Sequence, residues 1–286
     1  MRFLMSAPRL FKQSEQKSSK PESHYAIVAN GNFLVREIIL EAIANKIVVA
    51  LDGAADKLAR IDIMPSIILG DFDSITPNNI WGIKKTFDDI DENSEPYIGI
   101  LGTTIVPAKD QNLTDLIKAI RYCDKQGATS IDILCATGGR LDHHEGAMRC
   151  LRSEYQKDRP ILLHTEQQTL KFAKDEAVEL IGEIKDKCGI VAFPSAHFSS
   201  TGLLYNGNDY LLEFGISESY CNSLTEKTAH VTIEGEALLM MPPQFISQRV
   251  FYQKNDVERL ELQLRDAKQK GMKLSTQITP PGSQRP

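Results

Sequence analysis

The stretch SIILGDFDSI, residues 66–75, indicates how the N-terminal half of the chain is folded. Its first four residues suit a buried strand that ends at Gly70, and the carboxylates Asp71 and Asp73 follow, with Ser74 after them. In parallel α/β sheets, ligands bind at the carboxyl ends of strands because loops and helix N-termini converge there. Two carboxylates this close repel each other unless a cation lies between them, and Mg²⁺ takes oxygen ligands together with phosphate groups. A solvated turn is the alternative interpretation, since Asp and Ser are ordinary turn formers.

Length and composition indicate a globular protein with room for two domains, at about 150 residues per domain, in a chain of 286 residues. Hydrophobic residues make up 42% and charged residues 25%, as in ordinary soluble proteins. No apolar run approaches the roughly 20 residues that a membrane span needs. Residues 1–24 lack the continuous apolar core of a signal peptide, and we interpret them as a disordered leader.

Cysteine usage and net charge narrow the classes of partner. The five cysteines are widely separated, odd in number and form no CxxC pair, which argues against a zinc site or a disulfide framework. This usage favours a reducing compartment, so we expect a cytoplasmic protein. The net charge of −5 provides no basic patch for nucleic acid, and we expect neither nucleic acid nor membrane as a partner. An anionic substrate such as a nucleotide would need metal ions or local basic residues to offset repulsion.

Strands and helices alternate before the quoted stretch. A strand at 25–29 is followed by an amphipathic helix at 33–45, a strand at 47–51 and a short helix near 54–60. The second strand ends in Asp52, again an acid at the carboxyl end of a strand. Because the strands are apolar throughout rather than alternating, they predict a parallel sheet covered by helices on both faces.

The motif DQNLTD, residues 110–115, opens a helix whose apolar face continues to Gly127. One interpretation is structural: Asn112 or Thr114 is the N-cap, and the acids complement the helix dipole. The other is functional: Asp115, in the first turn, points toward the same edge of the sheet as the quoted acids. Both interpretations can hold at once.

A second motif follows a strand at 130–135 and reads Gly138, Gly139, Arg140, with Asp142 before the next helix. Consecutive glycines after a strand let backbone N–H groups approach an anion closely. Arginine can bind phosphate oxygens with two parallel hydrogen bonds. A Gly-Gly-Arg-x-Asp turn in the same sheet as other acidic strand ends therefore indicates a phosphate site.

The C-terminal half has a different pattern of apolar residues, with little helical periodicity. Its short apolar runs are ILLH, TLKF, AVEL, GIVAF, LLYN, YLLEF, AHVTIE and ALLMM. Turn-forming and charged residues separate them, which predicts an antiparallel β-sandwich. Apolar residues recur at helical spacing in 254–270, and we interpret the residues after 275 as a disordered tail. The predicted divisions are a leader at 1–24, an α/β domain at 25–158, a β-sandwich at 159–245 and a helical, then disordered, tail at 246–286.

The strand and helix ends together place acids at the rim of one sheet, namely Asp52, Asp71, Asp73, Asp115 and Asp142, beside Gly138, Gly139 and Arg140. Neither GxxxxGK[ST] nor GxGxxG occurs, so phosphates are not bound by either of those loops. An acidic rim with one arginine instead favours phosphoryl chemistry carried by Mg²⁺. In such chemistry the protein mainly positions the reactants and neutralises developing charge.

The chain resembles the thiamine pyrophosphokinase family from Tyr25 to about Met241. The matching segments, in the family's order, are Asp52-Gly-Ala-Ala, Gly70-Asp-Phe-Asp-Ser-Ile, Asp110-Gln-Asn-Leu-Thr-Asp115, Gly138-Gly-Arg-Leu-Asp142, Thr201-Gly-Leu-Leu-Tyr205 and Gly215-Ile-Ser-Glu-Ser219. The resemblance implies an α/β domain that binds ATP and Mg²⁺, a β-sandwich that binds thiamine, and a homodimer with the substrate held between subunits. The implied reaction moves the terminal diphosphate of ATP to the hydroxyethyl oxygen of thiamine, giving thiamine diphosphate and AMP.

Site residues are implied by matching position. Asp71, Asp73 and Asp115 would bind Mg²⁺. Contacts to the ATP phosphates, the metal or the attacking hydroxyl would come from Gln111, Thr114, Arg140 and Asp142, and Asp52, Gly138 and Gly139 are candidate binding residues at the same rim. Ser217 and Ser219 would line the thiamine pocket, with Tyr205 as an aromatic surface for thiamine. For the general base three alternatives stay open: Asp71, Asp142 or no residue of the chain.

Three positions depart from the family's pattern. The family usually has Asp where Asn112 stands, which removes one negative charge from the metal end. It usually has Trp where Tyr205 stands, and it often has Asn after the second serine, where this chain has Tyr220.

Two alternatives remain open at the level of sequence. Asp142, His143 and His144 spell the DHH of a phosphoesterase family, which would predict Mn²⁺-dependent hydrolysis without thiamine. That family also needs a downstream glycine-rich histidine motif, and this chain has none. The second alternative is a non-catalytic thiamine or nucleotide sensor that keeps the fold without turnover, a hypothesis motivated by Asn112 and Tyr220.

Overall fold

A parallel sheet carries the predicted site in the computed structural model, which describes residues 22–75, 80–83 and 94–250. Its parallel strands are β1 (His24–Val28), β2 (Ile47–Leu51), β3 (Ile67–Gly70), β5 (Thr104–Pro107), β6 (Ser130–Leu134) and β7 (Ile161–His164), and the short β4 (Tyr97–Ile98) pairs antiparallel with β5. The order across the sheet is β7-β6-β1-β2-β3-β5-β4.

Helices cover both faces of this sheet. α1 (Arg36–Ile43) and α2 (Ala54–Ala59) bury apolar side chains against one face, and α3 (Asp115–Lys125) and α4 (Leu141–Ser153) against the other. The prediction of a parallel sheet covered on both faces is therefore confirmed. α1 is shorter than the predicted helix at 33–45 because Val35, before it, is extended with φ −60° and ψ 148°.

The direction in which strands are added reverses beside β1. From β1 the chain proceeds through β2, β3 and β5 on one side, and then crosses to β6 on the other side of β1. Such a reversal opens a crevice at the carboxyl ends of the two central strands, where α/β proteins bind ligands. The loops after β1 and β6 flank this crevice, and the loops after β2 and β3 lie beside it.

Antiparallel strands follow the parallel sheet. They are β8 (Thr169–Ile181), β9 (Lys187–Thr201) and β12 (Thr228–Met241), with the shorter β10 (Tyr210–Glu213) and β11 (Ser219–Ser223) paired to β9. They bury a core of their own that includes Leu180, Ile190 and Ile233. The predicted fold class, a parallel α/β domain followed by an antiparallel β-sandwich domain, is confirmed as a mixed sheet with a helix-covered parallel part and an antiparallel, strand-rich C-terminal part. β7 pairs with β8, so hydrogen bonds link the two units into one sheet.

The individual strands of the antiparallel unit are longer than predicted. TLKF and AVEL both belong to β8, and AHVTIE and ALLMM both belong to β12, so the prediction of separate short strands was wrong. The chain continues through the polar residues between these runs because a bulge accommodates them. There the amide of Gly235, at φ 104°, donates a hydrogen bond of 2.7 Å to Asp175. LLYN contributes one bridge, between Leu203 and Leu224.

The predicted domain boundaries at residues 158 and 245 stay predictions. Most of the predicted leader and all of the predicted helix at 254–270 lie outside the described residues, although β1 already begins at His24 and residues 246–250 are helical. Within the described part of the chain, we find no helix of the length and apolar character that a membrane crossing requires.

Candidate active site

Three carboxylates meet at the carboxyl edge of the parallel sheet. Asp52 follows β2, and Asp71 and Asp73 follow the neighbouring β3. One oxygen from each lies within 4.8 Å of one oxygen from each of the others. Asp52 is buried, Asp71 is half-buried and Asp73 is exposed, so the group opens to solvent on one side. Carboxylate oxygens at this separation suit a hard divalent cation such as Mg²⁺.

The turn after β3 places its two acids through the residue between them. Phe72 is only 9% exposed and packs into the core beneath α1 and α2. Its backbone is left-handed, with φ 65°, which is uncommon for a bulky residue. Because the aromatic ring is anchored inward, Asp71 and Asp73 are held on the turn at the edge of the sheet.

The surroundings of Asp52 shift the pKa of its carboxyl group. Its Oδ2 accepts hydrogen bonds from the amide of Ser74, at 3.2 Å, and from the Ser74 hydroxyl. Its Oδ1 is buried and has no hydrogen-bond donor among the described residues. Burial, together with the neighbouring Asp73 carboxyl, raises the pKa of Asp52 to about 7, although the bonds from Ser74 act in the opposite direction. A buried anionic oxygen beside other carboxylates calls for a proton or a cation.

The loop after β5 reaches the same group through Gln111. Its side-chain amide donates a hydrogen bond of 3.2 Å to Oδ2 of Asp71. Asp110 instead stabilises its own turn, accepting from the amide of Asn112 at 2.8 Å. Thr114 is the N-cap of α3, and its hydroxyl accepts from the amide of Ile117 at 3.4 Å, as one of the two predicted caps.

Asp115 has a different partner from the one that the sequence analysis suggested. Its carboxylate lies 2.8 Å from the ammonium of Lys118, which also donates to the carbonyl oxygen of Ala108 at 2.9 Å. Asp115 is not among the carboxylates within 4.8 Å of one another in the part of the chain that the structure describes. The structure thus groups Asp52, rather than Asp115, with Asp71 and Asp73.

The Gly-Gly-Arg-x-Asp turn lies after β6, on the other side of β1. Gly138 and Gly139 are left-handed, with φ 77° and 69°, and the Gly138 amide donates to Nδ1 of His144 at 3.1 Å. Arg140 and Asp142 are exposed and form a two-bond ion pair, at 2.6 and 3.1 Å. The hydrogen bonds from Arg140 are the main reason that the pKa of Asp142 is lowered.

The loop after β1 connects the two halves of this edge and was missed by the sequence analysis. The side chain of Asn30 donates to the Ser74 hydroxyl at 3.4 Å, and the amide of Asn32 donates to the carbonyl of Thr137 at 3.2 Å. Lys57 holds this loop by donating to the carbonyl oxygens of Asn30 and Gly31, at 3.1 and 3.2 Å. Two features of the sequence could have indicated this loop as part of the site. They are Asn30-Gly31-Asn32, directly after the first strand, and Lys57, one helical turn after Gly53.

The candidate thiamine residues lie on the antiparallel unit, and a buried asparagine connects two of them. Asn222, 1% exposed, exchanges hydrogen bonds with the backbone of Tyr205, at 3.1 and 2.7 Å, and donates to the Ser219 hydroxyl at 3.0 Å. Ser217 serves a separate turn, donating to the carbonyl oxygen of Leu211 at 3.2 Å. The rings of Tyr205 and Tyr220 are exposed. Asn222 was missed because no local pattern marks a residue that links two distant segments.

The fold and the carboxylate group define an α/β protein with a candidate cation site at the edge of its parallel sheet. Two family models match the chain: "Thiamin pyrophosphokinase, catalytic domain" over residues 41–163 and "Thiamin pyrophosphokinase, vitamin B1 binding domain" over residues 167–239. Together they span more than half of the chain, which therefore belongs to the thiamine pyrophosphokinase family.

Relatives carry the same family name. The chain is 28% identical over 191 residues to thiamine pyrophosphokinase 1 of rice, covering 63% of this chain and 66% of the rice protein. It is 27% identical over 207 residues to thiamin pyrophosphokinase 1 of Caenorhabditis elegans, covering 67% of this chain and 76% of the nematode protein. A second rice relative, thiamine pyrophosphokinase 3, is matched over 64% of its length, so each match to rice spans just under two thirds of the relative.

Solved structures support the fold. Thiamine pyrophosphokinase from Bacillus subtilis superimposes with a TM-score of 0.64 at 21% identity, covering 78% of this chain and all of that one. Thiamin pyrophosphokinase from Candida albicans gives a TM-score of 0.60 at 17% identity, over 78% of this chain and 90% of that one. The comparisons give no support to the phosphoesterase alternative, and Nδ1 of His144 is already used by the Gly138 amide.

Proposed function

We propose that the protein transfers the terminal diphosphate of ATP to the hydroxyl of thiamine, giving thiamine diphosphate and AMP. The observation that carries this proposal is the buried Oδ1 of Asp52, which has no donor among the described residues and belongs to a carboxylate next to Asp71 and Asp73. A site of this kind favours a cation, and a cation allows an acidic protein to bind a triphosphate.

The donor set fits Mg²⁺, which prefers carboxylate oxygens and retains positions for water and phosphate. Asp71 and Asp73 would hold the ion, and Gln111 orients Asp71 through its hydrogen bond. Asp115 would join them through the carboxylate oxygen that is not paired with Lys118. When bound, Mg²⁺ would supply positive charge that offsets the charge of the phosphates and of the departing AMP.

The residues of the chain itself position the triphosphate. Gly138 and Gly139 supply a left-handed turn without side chains, where backbone N–H groups can approach a phosphate. Arg140 is exposed and paired only to an exposed acid among the described residues, so phosphate oxygens can replace Asp142 at its guanidinium. Lys57, which donates to two carbonyl oxygens of the loop after β1, adds positive charge to that loop.

In the proposed reaction, the hydroxyl oxygen of thiamine bonds to the β-phosphorus of ATP. The bond from that phosphorus to the oxygen bridging toward the α-phosphorus breaks, and AMP departs with this oxygen. The hydroxyl proton passes to a carboxylate, for which Asp71 and Asp142 are the candidates. On the antiparallel unit, Tyr205 offers an aromatic face to the cationic thiazolium, and Ser217 and Ser219 would supply hydroxyl groups to the thiamine pocket.

We also propose a homodimer in which thiamine is held between subunits. Exposed apolar side chains crowd the antiparallel unit, notably Tyr205, Tyr210, Phe214, Ile216 and Tyr220. Exposed apolar patches of this kind mark interaction surfaces.

The reaction can be tested by incubating the purified chain with ATP, Mg²⁺ and thiamine and separating the products by chromatography. We expect AMP and thiamine diphosphate in equal amounts, and neither product when Mg²⁺ is chelated. ADP with thiamine monophosphate would refute diphosphate transfer. Ligand binding by calorimetry without any product would favour the sensor instead.

A further inference from the structure

Ser74 contacts the turn after β2 although it belongs to the turn after β3. Its amide, at 3.2 Å, and its hydroxyl both donate to Oδ2 of Asp52. The same hydroxyl oxygen accepts from the amide of Gly53, at 3.3 Å, and from the side chain of Asn30, at 3.4 Å. A hydroxyl has one proton and two acceptor lone pairs, so this group is fully used and its proton is committed to Asp52.

The two turns approach too closely for Ser74 to take another position easily. A Cβ on Gly53 would lie 2.8 Å from the carbonyl oxygen of Ser74 and 3.1 Å from its hydroxyl. Only a residue without a side chain fits at position 53, and the serine hydroxyl is held against the carboxylate. Asp52, 6% exposed, thus has one oxygen with two donors and one with none among the described residues.

We propose that Ser74 is a positioning residue of the cation site: by holding Oδ2 of Asp52, it leaves Oδ1 free to bind a divalent cation together with Asp71 and Asp73. This inference rests on the proposed function, because it takes the cation at this edge as given. Hydrogen bonds that orient a metal-binding carboxylate commonly change metal affinity by about 10- to 100-fold. Asp52 thereby becomes a third carboxylate of the site, a role that its sequence position alone does not specify.

The test measures metal binding directly, by titrating the metal-free chain with Mn²⁺ and following the free ion by electron paramagnetic resonance. Mn²⁺ accepts the same oxygen ligands as Mg²⁺. We expect Ser74→Ala to weaken Mn²⁺ binding about tenfold. Ser74→Thr, which keeps the hydroxyl, should stay within about twofold of wild type. Ser153→Ala is the matched control, because it removes a serine hydroxyl at the C-terminal end of α4 that donates to the carbonyl oxygen of Cys150 at 3.3 Å, and its Mn²⁺ affinity should not change.

A double-mutant cycle separates positioning from general damage. Asp52→Asn should weaken Mn²⁺ binding at least as much as Ser74→Ala, and adding Ser74→Ala to Asp52→Asn should cost no further affinity. Additive losses would show that Ser74 does not act through Asp52 and would overturn the proposal. Unchanged Mn²⁺ affinity in a folded Ser74→Ala protein would overturn it as well. Should Ser74→Ala fail to fold, Ser74→Cys, a weaker donor, must show the loss instead.

The result is independent of the product assay. A chain that binds Mn²⁺ as expected and responds to Ser74→Ala, yet forms no thiamine diphosphate, would refute the proposed reaction and leave the positioning role intact. A wild-type chain that binds no Mn²⁺, with or without ATP, would overturn the cation site and the role of Ser74 together.

Discussion

Burial makes the negative charge of Asp52 costly to the folded protein. The carboxyl is 6% exposed and lies beside Asp73, and its pKa is raised from 3.8 to about 7. The folded chain therefore keeps this proton at pH values where the unfolded chain has lost it. The free energy of unfolding should fall as pH rises from about 4 to about 7, and stay at the lower level above. Natural proteins retain such charges where function needs them.

We therefore expect Asp52→Asn to stabilise the metal-free chain at pH 8, by on the order of 1 kcal/mol, with little effect at pH 4 to 5. The asparagine oxygen can accept both bonds from Ser74, and its amide can donate to Asp73. Urea denaturation at the two pH values measures the difference. Asp62→Asn is the control, since Asp62 is exposed at φ 61°, a conformation that asparagine also adopts. An equal shift at both pH values would contradict this account.

The positions of the three acids could be predicted from the sequence. The hydrogen bonds of Asp52 and its raised pKa could not. Asp52, Asp71 and Asp73 follow apolar strands, and the carboxyl ends of parallel strands share an edge. The bond from Ser74 to Asp52 joins residues 22 positions apart and depends on how two turns pack. Asp115 opens α3 after β5, as expected, but it pairs with Lys118 at 2.8 Å and is not one of the three grouped carboxylates among the described residues.

At the scale of elements, Thr114, the N-cap that precedes α3, was also predicted to contact the ATP phosphates, the metal or the attacking hydroxyl. The Thr114 hydroxyl caps the helix by accepting from the amide of Ile117 at 3.4 Å. We expect Thr114→Ala to lower the free energy of unfolding by about 1 kcal/mol, and Thr114→Ser to preserve it. Urea denaturation without ligands measures this effect. If Thr114→Ala has wild-type stability and a raised KM for ATP, Thr114 contacts the substrate and its capping bond does not stabilise the fold.

α1 is joined to the helical residues 246–250 by one carboxylate. Glu41 accepts hydrogen bonds from the amides of Ile246 and Ser247, at 3.0 and 2.9 Å, and from the Ser247 hydroxyl at 2.7 Å. Partial burial acts to raise its pKa, but these bonds outweigh it and hold the pKa below the usual value. Such a group stabilises the fold above its unfolded pKa of about 4.5, and the stabilisation is lost as pH falls through the lower folded pKa.

Glu41→Gln should therefore destabilise the chain by about 1 kcal/mol at pH 7, because hydrogen bonds to a charged acceptor become bonds to a neutral one. The difference from wild type should shrink as pH falls below the folded pKa of Glu41. Thermal denaturation across this pH range measures it. Glu37→Gln, in the first turn of the same helix and exposed, should change stability by less than about 0.5 kcal/mol. A loss that does not vary with pH would exclude the charge of Glu41 as its cause.

The lengths of β8 and β12 show why strand boundaries were hard to predict. The apolar runs correctly indicated strand structure on either side of the polar residues 174–176 and 234–236. Those polar residues suggested a break where each strand in fact continues. The strands continue there because Asp175 accepts from the amide of Gly235, a contact between strands about 60 residues apart. Local patterns cannot report a bulge that a distant residue stabilises.

For the whole molecule, the order of strands explains how motifs scattered over the chain come to one edge. The chain adds β2, β3 and β5 on one side of β1 and β6 on the other, so the loops that carry the acids and the Gly-Gly-Arg turn flank the central strand. The parallel sheet with helices on both faces could be predicted from the apolar strands and intervening helices, but the order of its strands was not predicted. The pairing of β7 with β8 could not be predicted, because it joins two units whose patterns of apolar residues differ.

The exposed apolar side chains of the proposed dimer interface lie at the β10 end of the sheet, opposite β4. Phe214 and Ile216, in the turn after β10, are 55% and 81% exposed. Leaving them in water forgoes the stabilisation that burial provides, about 25 cal/mol for each Å² of apolar surface. A self-complementary patch on one chain closes into a two-fold dimer, the commonest symmetric assembly.

We expect sedimentation equilibrium to give twice the chain mass of 31.9 kDa for the wild type and a lower, concentration-dependent mass for Ile216→Asp. The substitution places a charge in the interface, while the turn keeps its backbone bond from Ile216 to the carbonyl of Glu213. Ile98→Asp is the matched control, since Ile98 is 64% exposed on β4. If thiamine binds between subunits, the KM for thiamine should rise in Ile216→Asp and recover at high protein concentration, which no surface change within a monomer would produce. A wild-type chain that sediments as a monomer, or Ile216→Asp and Ile98→Asp variants that behave alike, would place the interface elsewhere or remove it.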